Sequence, residues 1–218
     1  MKRYLTELIG TFFLVFTIGL AVTAKLAFAE LAIGSVLMVM VYMGGHVSGA
    51  HYNPAVSLAV MERGKLGPID FVAYVVSQLA GALLAAYVVF IITGKTFGPA
   101  PSPEVTGFIA ILVEAIFTFA LALVVLNVAT AKGTEGNSFY GLAIGFTIFV
   151  AATVGGGISG GAFNPAVGFG PLCFQHWMEK GTLDQLGYYI VGPFLGAAVA
   201  AAVFWIQNAE WSVSLDKK

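Results

Sequence analysis

The apolar positions of this chain fall into six long runs separated by short polar connections. The runs cover residues 4–24, 31–49, 71–93, 106–129, 138–157 and 186–207. They are of the length, about 20 residues, that a helix needs to cross a hydrocarbon core. The connections hold most of the charge, glycine and proline. The longest plain linker, residues 94–103 (GKTFGPAPSP), divides the chain into two halves of three runs each.

The halves repeat one another. Residues 31–56 (LAIGSVLMVMVYMGGHVSGAHYNPAV) align without a gap on residues 142–167 (LAIGFTIFVAATVGGGISGGAFNPAV). The likeness continues on both sides, with residues 5–12 (LTELIGTF) answering 112–119 (LVEAIFTF), and 74–82 (YVVSQLAGA) answering 189–197 (YIVGPFLGA). Three runs is an odd number, so the second half must enter the membrane in the opposite sense to the first. Such an inverted repeat places its paired sites near the bilayer midplane. The reading is an all-α integral membrane protein in one channel domain, residues 1–218, with repeats at 1–97 and 104–218.

Composition agrees. Of 218 residues, 59% are hydrophobic and 10% charged, against about 25% charged in soluble domains. The net charge of −1 gives no hint of nucleic acid. The segment after Met1-Lys2-Arg3 continues as a helix without a small-residue cleavage site, so no cleavable signal peptide is expected. The single cysteine, Cys173, allows no internal disulfide and no cysteine-based metal site. No cofactor motif and no catalytic constellation is visible. With the N-terminus inside, Lys2, Arg3, Arg63, Lys65, Lys132, Lys217 and Lys218 fall on the cytoplasmic side and Lys25, Lys95 and Lys180 outside. This bias predicts cytoplasmic termini, in the cell membrane.

The repeat carries a duplicated tripeptide, Asn53-Pro54-Ala55 and Asn164-Pro165-Ala166. Asn is a strong N-cap and Pro suits the first helical position. The helical runs that follow, Pro54–Glu62 and residues 165–174, are too short to cross. Ten residues give about 15 Å, half of a roughly 30 Å core. The glycine-rich stretches before them (Gly44-Gly45, Ser48-Gly49; Gly155 to Gly157, Ser159 to Gly161) suit irregular backbone. At membrane depth such backbone is tolerated where it lines a watery cavity or is buried in protein. Two half-helices meeting end to end would bring two partly positive N-termini to mid-pore, which repels cations. If backbone groups hold each Asn oxygen, its NH2 is free to face the lumen and orient passing water.

The motifs SGAHYNPAVS (residues 48–57), SGGAFNPAVGFGP (159–171), TELIGTFFLVF (6–16) and YIVGPFLGA (189–197) resemble those of the aquaporin, or major intrinsic protein, family. The resemblance covers essentially the whole chain. It implies six tilted helices, two half-helices, one pore per subunit and a homotetramer. It also implies an outer selectivity filter at Ile33, Ala152, Gly161 and Val167. The family usually has Arg at the last position, so Val167 is the main departure. The resulting small, apolar set resembles the Arg-free filters of some plant tonoplast aquaporins, which pass water with urea, ammonia or glycerol. The glycerol facilitators' aromatic wedge is absent, and Gly168 stands where they carry Asp. The other reading is that Val167 faces neighbouring helices and another residue narrows the pore.

Glu7 and Glu114 lie inside spans at matched positions, without Lys or Arg partners. Intramembrane carboxylates are functional candidates by default. A proton relay is one reading; acceptance of hydrogen bonds from the loop backbone of each half is the other, which the resemblance also implies. His46 and His51 flank the first loop, as a pH gate or as neutral loop or pore residues. His176 has no assigned role, Cys173 reads as a small apolar residue, and Trp177, Trp205 and Trp211 read as interfacial anchors. The expected partners are water, small neutral solutes (glycerol, urea, ammonia, peroxide) and membrane lipid. The alternatives are a cation-leaky channel and, behind it, an inverted-repeat secondary transporter.

Overall fold

A computed structural model describes residues 1–208. Trp211, Lys217 and Lys218 lie outside the described residues. The chain forms α1 (Lys2–Thr23), α2 (Ala29–Ser48), α3 (Pro54–Glu62), α4 (Pro68–Thr93), α5 (Gly107–Thr130), α6 (Tyr140–Ser159), α7 (Pro165–Glu179) and α8 (Leu186–Gln207), with a 3-10 turn at Lys132–Thr134. Among the described residues six helices, all but α3 and α7, are long and apolar enough to cross a membrane. Their outward faces are apolar too, as Val72, Val76, Leu84 and Ile91 on α4 illustrate. Such faces suit lipid, and helices satisfy their own backbone groups there.

Packing follows the repeat. In the first half α1 packs on α2 and α4, and in the second α5 packs on α6 and α8. The halves are interlocked, because α3 lies against α8 and α7 against α4. The repeat axis passes where α2 crosses α6. A Cβ on Gly34 would lie 2.7 Å from the Gly145 carbonyl oxygen, and one on Gly145 2.5 Å from that of Gly34. Gly81 and Gly196 play matched parts elsewhere. A Cβ on either would collide with the backbone carbonyl of Leu8 or Ala115, respectively. Small residues thus set the helix spacing, as expected where no hydrophobic effect drives helices together in lipid.

Several boundaries differ from the sequence reading. Pro68 at the first helical position starts α4 three residues ahead of the apolar run. The second half-helix continues to Glu179, for 15 residues, and stops at Lys180 in the left-handed conformation. Gly44-Gly45 and Gly155 to Gly157 are helical, so within the two re-entrant loops irregular backbone is confined to residues 49–53 and 160–164. The glycine at 44 answers to packing, since a Cβ there would collide with the Tyr52 hydroxyl. The linker at 94–103 is no plain tether. Ser102 donates from its hydroxyl to the Gly157 carbonyl at 2.6 Å and from its N–H to that of Ile158 at 3.1 Å, closing the end of α6. Phe97 is buried beside Gly19.

Candidate functional site

The two re-entrant loops meet at the centre, and each is held from its own half by one buried carboxylate. Glu7 Oε1 accepts from the Ser48 hydroxyl at 2.6 Å and the His51 N–H at 3.0 Å, and Oε2 from the Tyr52 N–H at 2.7 Å and the Gln78 amide at 2.8 Å. Glu114 does the same in the other half. Its Oε1 accepts from the Ser159 hydroxyl at 2.7 Å and the Ala162 N–H at 3.0 Å, and its Oε2 from the Phe163 N–H at 2.5 Å. A tyrosine completes each brace, Tyr74 donating to the Ser48 carbonyl at 2.7 Å and Tyr189 to the Ser159 carbonyl at 2.6 Å. The serines and Gln78 carry no signal as lone residues. The repeat alignment that pairs Tyr74 with Tyr189 and Ser48 with Ser159 makes the serines findable, whereas Gln78 answers Pro193 and has no such signal.

These braces hold an unfavourable backbone. Tyr52 and Phe163 have φ of 51° and 49°, a conformation that costs a residue with a Cβ about 1–2 kcal/mol. Both are clamped at either end. The N–H of each is taken by a carboxylate, and the carbonyl of each accepts from the asparagine of the opposite repeat. Asn53 Nδ2 donates to the Phe163 carbonyl at 2.9 Å, and Asn164 Nδ2 to the Tyr52 carbonyl at 2.9 Å. The Asn oxygens cap their own helices, Asn53 accepting from the Ala55 and Val56 N–H groups at 2.8 and 3.4 Å and Asn164 from that of Ala166 at 2.9 Å. The expectation that each NH2 is wholly free for the lumen is therefore corrected. One N–H of each is spent on a reciprocal clasp between repeats, and one remains. Pro54 and Pro165 take the first helical positions behind them, and Ala55 and Ala166 are fully buried.

A cavity of about 420 Å³ runs past this junction. Asn53 and Asn164 line it together with Ile33, Ala152, Gly161 and Val167. It reaches Val22 and Glu30, where α1 ends and α2 begins, and on the other side of the Asn pair Val125 and Ile144. The wall is mostly apolar. Neither Glu7 nor Glu114 lines it, and both are fully buried.

The two histidines part company. His51 is buried and lines the cavity, its Nδ1 3.1 Å from Ser57 Oγ, which accepts from Gln78 Nε2 at 3.0 Å. His46 sits in the last turn of α2, exposed and away from the cavity. His176 Nδ1 contacts the Gly181 carbonyl, in the turn after α7. Cys173 is half-buried. Trp177 is exposed, and Trp205 donates to the Glu62 carbonyl at 3.4 Å. Arg63, at the end of α3, lies over the Phe204 and Trp205 rings at 4.9 and 4.8 Å, tying α3 to α8.

Residues 1–204 match the family model for major intrinsic proteins. Aquaporin NIP1-1 of Zea mays is 35% identical over 218 residues, covering 95% of this chain and 74% of the relative. The glycerol uptake facilitator protein-like 6 of Lactiplantibacillus plantarum is 34% identical over 221 residues, covering 96% of this chain and all of the relative (100%). The solved aquaglyceroporin from Plasmodium falciparum superposes with a TM-score of 0.83 at 23% identity, over 93% of this chain and 94% of that one. With its duplicated helix-capping asparagines, crossed half-helices and central cavity, this chain belongs to the major intrinsic protein family of passive membrane channels for water and small solutes.

Proposed function

We propose that the chain conducts water together with small uncharged solutes such as urea and glycerol, through a central barrier at the Asn pair and a wide, apolar outer constriction. The observation that carries this is the joint lining of one cavity by Asn53, Asn164, Ile33, Ala152, Gly161 and Val167. Val167 leaves the constriction without a charge and with less bulk than Arg. Solutes larger than water then pass, sorted by size. At the junction, the N-termini of α3 and α7 bring two partial positive charges together, and the remaining N–H of each Asn turns a passing water's oxygen toward the pair. Cations are repelled and the proton-relaying chain of waters is interrupted. The names of two relatives, a glycerol uptake facilitator and an aquaglyceroporin, fit this substrate class. Homotetramers with a pore in each subunit, cytoplasmic termini and the cell membrane complete the proposal.

A second reading, weaker exclusion of cations, is favoured by one observation, the Val at 167. A coupled transporter finds no support, because Glu7 and Glu114 are occupied by loop hydrogen bonds and stay out of the cavity. The test is Val167→Arg in proteoliposomes. A charge in a narrow, low-dielectric site acts strongly, so glycerol and urea flux should fall more than water flux, and any cation leak should fall. Equal losses for water, urea and glycerol would remove Val167 from the constriction.

A further inference from the structure

The cavity wall holds one charged side chain among the described residues, Glu30. It sits in the first turn of α2, and it lines the cavity with Ile33 and Leu37, at the i, i+3, i+7 spacing of one helix face. The residue is partly buried, and its carboxylate makes no hydrogen bond or ion pair with another described residue, unlike Glu7 and Glu114. The position that matches it in the second repeat is Gly141, which is buried against the Tyr42 ring and does not line the cavity. The acidic group therefore marks one mouth of the pore only. That mouth is also the one beside Ala152, Gly161 and Val167, where the wall offers a dehydrating solute few polar partners.

We infer that Glu30 is a specificity-determining residue that favours solutes with planar, forked N–H donors over polyols. An amide such as urea aims two N–H groups in one plane, which matches the two oxygens of an ionised carboxylate. Bonds of this charge-assisted, bidentate kind are roughly twice as strong as neutral ones. Glycerol's vicinal hydroxyls reach both oxygens only from one gauche arrangement of a freely rotating chain, an ordering cost that rigid, planar urea does not bear. Glu30 then offsets part of the cost of stripping water from urea at a mouth whose wall is otherwise mostly apolar. The carboxylate has the same fit for guanidinium, a cation of urea's shape, which binds at the mouth and stops at the positive helix ends beyond. The inference rests on the proposed conduction path.

The experiment measures water, urea and glycerol permeability in proteoliposomes for the wild type, Glu30→Gln and Glu30→Leu, with and without guanidinium chloride on the Glu30 side and sodium chloride as the ionic-strength control. The urea-to-glycerol ratio should fall about tenfold or more in Glu30→Leu, in line with the loss of a hydrogen bond to a charged group, and less in Glu30→Gln. Water permeability should stay within a factor of about two, since every variant keeps the Asn junction. Guanidinium should slow urea in the wild type and leave both variants unaffected. An unchanged ratio in both variants, or equal block by guanidinium in all three proteins, overturns the role of Glu30. A wild type that passes water but neither urea nor glycerol overturns the conduction reading instead, and the two failures are thereby told apart.

Discussion

Replacing each buried carboxylate by its amide gives unequal results, and the inequality follows from the hydrogen bonds. Glutamine keeps one acceptor oxygen and puts an NH2 where the other oxygen was. At Glu7 each oxygen accepts two bonds, so either flip of the amide strands one backbone N–H, of His51 or Tyr52, and forces a second group, the Ser48 hydroxyl or the Gln78 amide, to turn away. At Glu114 one oxygen accepts from Ser159 and Ala162 and the other from Phe163 alone, so the better flip orphans one donor. An orphaned buried donor costs about 1–3 kcal/mol. Glu114→Gln should therefore lose about 1–3 kcal/mol and Glu7→Gln more, up to about 6 kcal/mol, a large share of the ~5–15 kcal/mol that holds a typical protein folded. The assay is thermal unfolding of the purified variants in one detergent, followed by permeability per folded channel. Glu7→Gln should have the lower midpoint and the lower folded yield, while both folded fractions keep the wild-type ranking of solutes. Equal midpoints, or a Glu114 variant worse than the Glu7 variant, would refute the bond-by-bond argument. A folded Glu7→Gln that abolishes a proton-coupled flux would return the transporter to consideration.

Asn164→Asp should raise sodium and proton leak, because the carboxylate offsets the positive helix ends and can no longer donate to the Tyr52 carbonyl; a dye-based leak assay in liposomes checks it, and an unchanged leak counts against the barrier. Gly196→Ala should lower the unfolding midpoint by the equivalent of about 1–3 kcal/mol or more, since its Cβ meets the Ala115 carbonyl and backbone cannot turn aside. Gly157→Ala is its control: nothing lies within 4 Å of the added Cβ, so stability should hold or rise by up to about 1 kcal/mol. Because Gly157 lines the cavity, glycerol flux should nonetheless fall relative to water; scanning fluorimetry and light scattering read the two effects.

Much of this architecture was legible because the chain says it twice. The repeat located the half-helices, the matched carboxylates and the matched tyrosines, and an odd number of spans fixed the inversion. Apolar runs marked where helices lie but not where they stop, since boundaries depend on local caps such as Pro68 and Lys180. The extension of the second half-helix to Glu179 is not legible because its last turn mixes Gln175, His176 and Glu179 with exposed Trp177 and Met178 and so shows no apolar face. The Asn clasp was hidden for a different reason. It joins residues 110 and 112 positions apart, and no local pattern reports which carbonyl faces an NH2. Glu30 is not legible as a pore residue, because it has no partner in the repeat and a lone charge at a helix start reads as a solvated end. Only the cavity shows that it faces the pore.

The central claim is that the path through the Asn junction is wide and apolar enough for solutes beyond water, yet closed to protons. Stopped-flow light scattering on proteoliposomes of the wild type tests it most directly, with water, urea and glycerol gradients and a pH-sensitive dye in the same vesicles. The account predicts that all three permeate faster than in empty liposomes, in order of size apart from the amide preference assigned to Glu30, while proton leak stays at the empty-liposome level. Passage of water with exclusion of both urea and glycerol would contradict it, and would mean that a group other than Ile33, Ala152, Gly161 and Val167 narrows this pore.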